Sequence, residues 1–154
     1  MALEQITKNG EEGAVAPGLH REVIEVDATG KTLVAADSDA LVVMTAAAAT
    51  AIVLPAPVAG MQFEFTSSIT ATGDHTITTD AATTFIGGSI ITAIDDTASK
   101  SFKGDGTSNT VVTLNGTTTG GEIGGLIRFR AISSTVWMVD GSVNASGVII
   151  TPFG

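Results

Sequence analysis

The chain of 154 residues has no cysteine and no tyrosine, and only seven Lys and Arg against sixteen Asp and Glu. Without cysteine, disulfides, thiol catalysis and thiolate metal sites are all excluded, which fits assembly in a reducing cytoplasm. The shortage of basic residues leaves a formal net charge of −9. A field of that sign repels the phosphates that a nucleic-acid-binding surface must neutralise, and it disfavours an anionic membrane for the same reason. Neither nucleic acid nor membrane is therefore an expected partner. The start of the chain, Met1-Ala2-Leu3-Glu4-Gln5-Ile6, has neither a basic n-region nor an apolar h-region, so no secretory signal is expected.

Hydrophobic residues make up 44% of the chain and charged residues only 15%, with a mean hydropathy of +0.38. That is apolar for a soluble monomer, and it implies surface covered by a partner or by sister subunits. Residues 41–61 carry no charge over a span long enough for a bilayer. Pro55 and Pro57 would leave a spanning helix with missing donors, and the β-branched pairs Val42-Val43 and Ile52-Val53 favour strand, loop and strand instead.

The size predicts one domain, with residues 1–20 as an N-terminal arm and residues 21–154 as an all-β domain. The arm is polar and turn-rich at Lys8-Asn9-Gly10-Glu11-Glu12-Gly13 and irregular around Pro17. It reads equally as a disordered tail or as an arm that orders on a neighbouring subunit. Beyond it, strand signals recur at short intervals. Met61-Gln62-Phe63-Glu64-Phe65-Thr66 alternates strictly, which is the period of a strand with one face in the core. Leu126 to Ile132 alternates likewise, setting Ile127, Phe129 and Ala131 opposite Arg128 and Arg130. Two strand pieces are expected around Gly87-Gly88, a tight turn at Gly104-Asp105-Gly106, a type I′ hairpin at Asn115-Gly116 and a final strand over 148–150. No segment shows helical periodicity with caps. The fold class expected is all-β: a single β-sandwich or barrel-like domain of short antiparallel strands with an extended N-terminal arm. A β-solenoid is the alternative, but the Thr-Ile-Thr and Gly-Gly elements do not recur at the constant spacing it would need.

Sites of chemistry are sparse. His75 follows Asp74, but no third partner or nucleophile motif accompanies the pair, so it reads as a surface turn. Asp37 and Asp39, Asp95-Asp96 and Asp105 lie on expected loops and match no calcium-loop spacing. They read as solvated turn residues, with a weak calcium site between subunits as the other reading. Gly120-Gly121-Glu122-Ile123-Gly124-Gly125 lacks the Lys-Ser/Thr of a phosphate loop and is followed by an alternating strand, so its glycines supply turns and close approach. Trp137 is expected in the core. Arg128 and Arg130 share one outward face. They either pair across strands with a carboxylate such as Glu64 or make a salt bridge to a partner.

Several segments together resemble the small decoration (cement) proteins of tailed-phage heads and β-rich modules of related fibre proteins. They are Ile52-Val53-Leu54-Pro55, Gly60-Met61-Gln62-Phe63-Glu64-Phe65, Ile77-Thr78-Thr79, Gly87-Gly88-Ser89-Ile90, Gly121-Glu122-Ile123-Gly124-Gly125, Trp137 and the terminal Gly147 to Gly154. The likeness is one of texture, spread over most of residues 30–154. It implies a non-enzymatic structural virion protein on the capsid surface, assembled in the host cytoplasm. It also implies the major capsid protein as partner, a homotrimer, and no catalytic, cofactor or metal residues. The partner-binding residues expected are Leu3, Ile6, Val15 and Pro17 in the arm, with Arg128 and Arg130. The alternative is a tail-fibre or receptor- and glycan-binding module, although the low aromatic content of 5% counts against it.

Overall fold

A computed structural model describes residues 20–95 and 98–154. Eleven strands are present among them: β1 (Val23–Val26), β2 (Lys31–Thr32), β3 (Leu41–Met44), β4 (Thr50–Val53), β5 (Gln62–Ser67), β6 (His75–Thr78), β7 (Phe85–Asp95), β8 (Ala98–Asp105), β9 (Val111–Leu114), β10 (Leu126–Ala131) and β11 (Val136–Asn144). The only helix among the described residues is a single 3-10 turn, Ala35–Asp37. The all-β class is therefore correct.

The strands form two mixed sheets. The large sheet has the order β1-β3-β5-β10-β11-β7-β8, and the small one β2-β4-β6-β9. The expectation of antiparallel strands needs correction. Odd-numbered strands β1, β3 and β5 run parallel in the large sheet, and even-numbered β2, β4 and β6 run parallel in the small one. The first half of the domain thus coils back and forth between the two sheets, advancing one strand position per circuit. A parallel connection requires a crossover of a dozen or more residues, usually made by a helix. Here a strand of the opposite sheet serves as the crossover. The steps are unequal: Val23 faces Leu41 and Leu41 faces Glu64, while Lys31 faces Ile52 and Thr50 faces His75. Spacing that drifts in this way hides the coil from a search for fixed periods. The second half closes with antiparallel pairs β10 with β5 and β11, β7 with β8, and β6 with β9, plus one parallel pair, β11 with β7.

Turn chemistry explains the crossings. After β1, Asp27 Oδ1 accepts hydrogen bonds from the Thr29 backbone N–H and hydroxyl. Gly30 follows at φ +75°, and a Cβ there would lie 2.3 Å from the Ala51 carbonyl oxygen, so no other residue fits without moving the backbone. The Asn115-Gly116 pair is not a two-residue hairpin, because β9 and β10 belong to different sheets. Asn115 Oδ1 instead accepts from the N–H groups of Thr117, Thr118 and Thr119, an Asx-type turn that opens the crossing.

Three further boundaries differ from expectation. Residues 85–95 form one strand rather than two pieces, since Gly87 and Gly88 stay paired to both Met138-Val139 and Gly104-Asp105. Gly104 and Asp105 lie within β8, and the turn falls just beyond, where Asp105 accepts from Thr107 and Ser108. Residues 148–150 are not a strand. The C-terminal segment runs beside β9 through separate bonds, with Thr113 N–H donating to Pro152 and Gly154 exchanging bonds with Val111.

One apolar cluster joins the inner faces of both sheets. The large sheet contributes Ile24, Val42, Phe63, Phe65, Phe129 and Trp137, and the small one Ile52, Ile77, Val112 and Leu114. Trp137 is fully buried, as expected, with its ring centroid 5.8 Å from that of Phe63. Phe65 and Phe129 meet edge to face at 5.3 Å and 81°, a geometry that adds about 0.5–1.5 kcal/mol to the burial itself. With Phe129 inward, alternation sends Arg128 and Arg130 to the outer face.

Candidate functional site

The register of the large sheet lines its outer face into rows. One row crosses seven strands: Val23, Leu41, Glu64, Arg128, Asp140, Ser89 and Lys103. At its centre Arg128 Nε donates to Glu64 Oε1 at 2.8 Å, and Arg21 Nη1 reaches the other oxygen, Oε2. The remaining nitrogens of Arg21 hold the Asp39 and Ala40 carbonyls. Arg130 lies 3.5 Å from Asp140. The result is a run of alternating charge, Asp39, Arg21, Glu64, Arg128, with the Arg130–Asp140 pair beside it.

The carboxyl of Glu64 is held below the ordinary carboxylate range, chiefly by the Arg128 hydrogen bond, with Arg21 adding to it and partial burial opposing it. Glu64 was the carboxylate expected to face Arg128, and it does so. Arg130 is exposed and spans a longer, looser pair, a class of interaction that contributes ~0–1 kcal/mol. The two arginines therefore share a face but serve different pairs. Arg21 was not anticipated, because it precedes β1 and its position opposite Glu64 depends on how β1, β3 and β5 stack.

Aliphatic residues flank the charges. Leu126, Ile91 and Met138 are exposed on the same face, Leu126 and Ile91 in the row on one side of the charged one and Met138 in the row on its other side, across from Arg130. The alternation of β10 had already placed the position of Leu126 outward. Leu3, Ile6, Val15 and Pro17 lie outside the described residues.

No family model, curated protein or solved structure matches this chain.

The remaining sequence candidates separate cleanly. His75 is not a surface turn residue. It is fully buried at the start of β6, with Nε2 3.1 Å from the Ala48 carbonyl and Nδ1 without a partner. Asp74 is exposed, so the two form no acid–base pair. Asp37 accepts from the Val34 N–H, and Asp39 from the Gln62 amide. Asp105 accepts from the N–H groups of Thr107, Ser108 and Asn109 and from the Ser108 hydroxyl, and its carboxyl is strongly lowered, first by that hydroxyl. Asp37 and Asp105 are turn formers, whereas Asp39 belongs to the charge run on the outer face. Asp96 lies outside the described residues. Among those described, no three His, Asp or Glu side chains gather as a metal-binding group, and no helix is long and apolar enough to cross a membrane.

Gly120, Gly121 and Gly124 adopt φ of +97°, +105° and +96°. A Cβ on Gly120 would sit 2.3 Å from Val143 Cγ2. These glycines make turns and admit close packing, as read from the sequence.

Proposed function

We propose that this protein is a structural virion component that coats the outer surface of a phage capsid and stabilises the head. The observation that carries this reading is the outer face of the large sheet. A charge run of both signs there is flanked by exposed Leu126, Ile91 and Met138, a mixture suited to a partner surface of alternating character. The major capsid protein is the partner. In this reading the two sheets are the layers of one β-sandwich, three copies associate, and Leu3, Ile6, Val15 and Pro17 of the arm reach the capsid or a neighbouring copy. The protein acts by binding, without catalysis.

The test is binding of the purified protein to expanded capsids, together with the stability of capsids that lack it. Saturable binding in hundreds of copies, with loss of capsid stability in its absence, is the expected result. Failure of both would end the reading. The parallel coil of β1 to β6 supports a second reading, a tail-fibre or receptor-binding module. A few copies per particle, located at the tail, or a glycan-array signal without capsid binding would favour it.

A further inference from the structure

The two ends of the paired sheets are finished differently. At the end formed by β8 and β9, the C-terminal segment closes the gap. Gly154 and Pro152 pair with β9, and Phe153 packs over Gly104 of β8, where a Cβ would lie 2.8 Å from its ring. Edge strand β8 also carries exposed Lys100 and Lys103, side chains that discourage strand-to-strand association. At the opposite end, β1 is the terminal strand of the large sheet, and no described strand lies beyond it.

The bonding capacity of that edge follows from parity. The carbonyls of Glu22 and Val26 accept from the N–H groups of Leu41 and Thr45, on the β3 side. Alternation along the strand then turns the N–H and C=O of Val23 and Glu25 away from the sheet. Within β1 itself there is no proline, lysine or bulge, and the nearest described lysine, Lys31, lines the surface hollow beside Glu25 and Asp27. Val23 is 55% exposed, whereas inward Ile24 is 8% exposed, so a strand laid alongside would have an apolar neighbour on each face.

What does mark this edge is acid. Glu25 and Asp27 are both exposed beside it. A second copy pairing through its own β1 would bring the same carboxylates together, and like charges on neighbouring strands are destabilising. The net charge of −9 adds to that repulsion. The edge therefore disfavours its own kind and selects the opposite charge.

We propose that the β1 edge is a strand-addition site for an extended segment of another protein, in which Lys or Arg alternates with aliphatic residues. Main-chain bonds to Val23 and Glu25 supply the affinity. The basic side chains lie on the outer face beside Glu25, and the aliphatic ones extend the inner face beside Ile24. This inference does not depend on the virion reading, because it rests on the edge alone.

The test uses the full chain and two synthetic peptides, Lys-Val-Lys-Val-Lys-Val and Glu-Val-Glu-Val-Glu-Val, followed by fluorescence anisotropy and by hydrogen exchange at individual amides. The lysine peptide is expected to bind at least tenfold more tightly than the glutamate one and to slow exchange at Val23 and Glu25. Val23→Pro removes an outward donor without cutting the β1–β3 ladder, and should abolish that binding. Glu25→Lys should reverse the peptide preference, a result that loss of folding could not produce. Equal binding of the two peptides, or protection mapping elsewhere, would overturn the proposal. So would Val23 and Glu25 amides already protected without peptide. If that protection rose with concentration, the occupant would be a second copy. If it vanished on removal of residues 1–19, the occupant would be the chain's own N-terminal segment.

Discussion

Glu64 accepts hydrogen bonds from Arg128 and Arg21 at once, with its side chain only 17% exposed. Both guanidiniums are about one-third exposed, so solvent screening limits the pair's contribution and Glu64→Gln should cost about 1 kcal/mol near neutral pH. The pH dependence has a defined sign. Because the folded-state pKa of Glu64 is lowered, its contribution is complete above the unfolded value of about 4.3 and is lost as pH falls through the folded value. Denaturation midpoints measured from pH 7 to pH 3 should converge for the two proteins at the acid end. His75 shows what close reading of alternation can still reveal. It shares parity with Ile77, so a buried Ile77 puts His75 inward as well. The adjacent turn and Asp74 suggested a surface position, and the strand, which begins at His75 itself, overrode them.

Among elements, β7 depends on a glycine that the sequence marks but does not explain. Gly88 lies mid-strand at φ +111°, and a Cβ there would come within 2.1 Å of the Val139 carbonyl oxygen of β11. Gly88→Ala should therefore destabilise by at least about 2 kcal/mol, combining backbone strain with disruption of the β7–β11 pairing. Urea denaturation checks this. The C-terminal segment is an element without being a strand. Deleting residues 151–154 removes the acceptors for the Thr110, Val111 and Thr113 amides and the ring packed over Gly104. Amide exchange at these three positions should accelerate, with little change in the β10–β11 hairpin. Strand existence was legible in the sequence, because alternation such as that of residues 61–66 survives any choice of partner. Strand direction was not. Alternation has the same period in parallel and antiparallel pairs, and the missing helices suggested hairpins because helices are the usual crossovers. Asn115-Gly116 misled for a related reason: the dipeptide specifies a local turn, while the destination of the next strand depends on distant packing.

At the scale of the whole molecule, the apolar composition finds two outlets. Most of it fills the shared core, and the rest stands exposed, with Leu126, Ile91 and Met138 on the charged face and Val148 and Ile150 near the C-terminus. If the charged face docks on a capsid, Leu126→Glu should weaken capsid binding at least tenfold, while the thermal midpoint shifts by no more than a surface substitution allows, within about ±0.5 kcal/mol. Co-sedimentation and a thermal melt together check both halves. The candidate site was half legible. Arg128 and Glu64 could be paired in advance because both sit on strongly alternating strands. Arg21, Ile91 and Met138 could not, because their place on the face follows from the order of seven strands.

Sequence alone determined that this chain is built of strands and which side chains of β5 and β10 face the core. These are local properties, set by side-chain periodicity. Tertiary structure decided that the first six strands coil between two sheets, that Phe153 seals one end against Gly104, and that Arg21, Glu64 and Arg128 converge. Each of those outcomes rests on pairing between residues far apart in the chain, where the register of a whole sheet, rather than any local pattern, selects the neighbour.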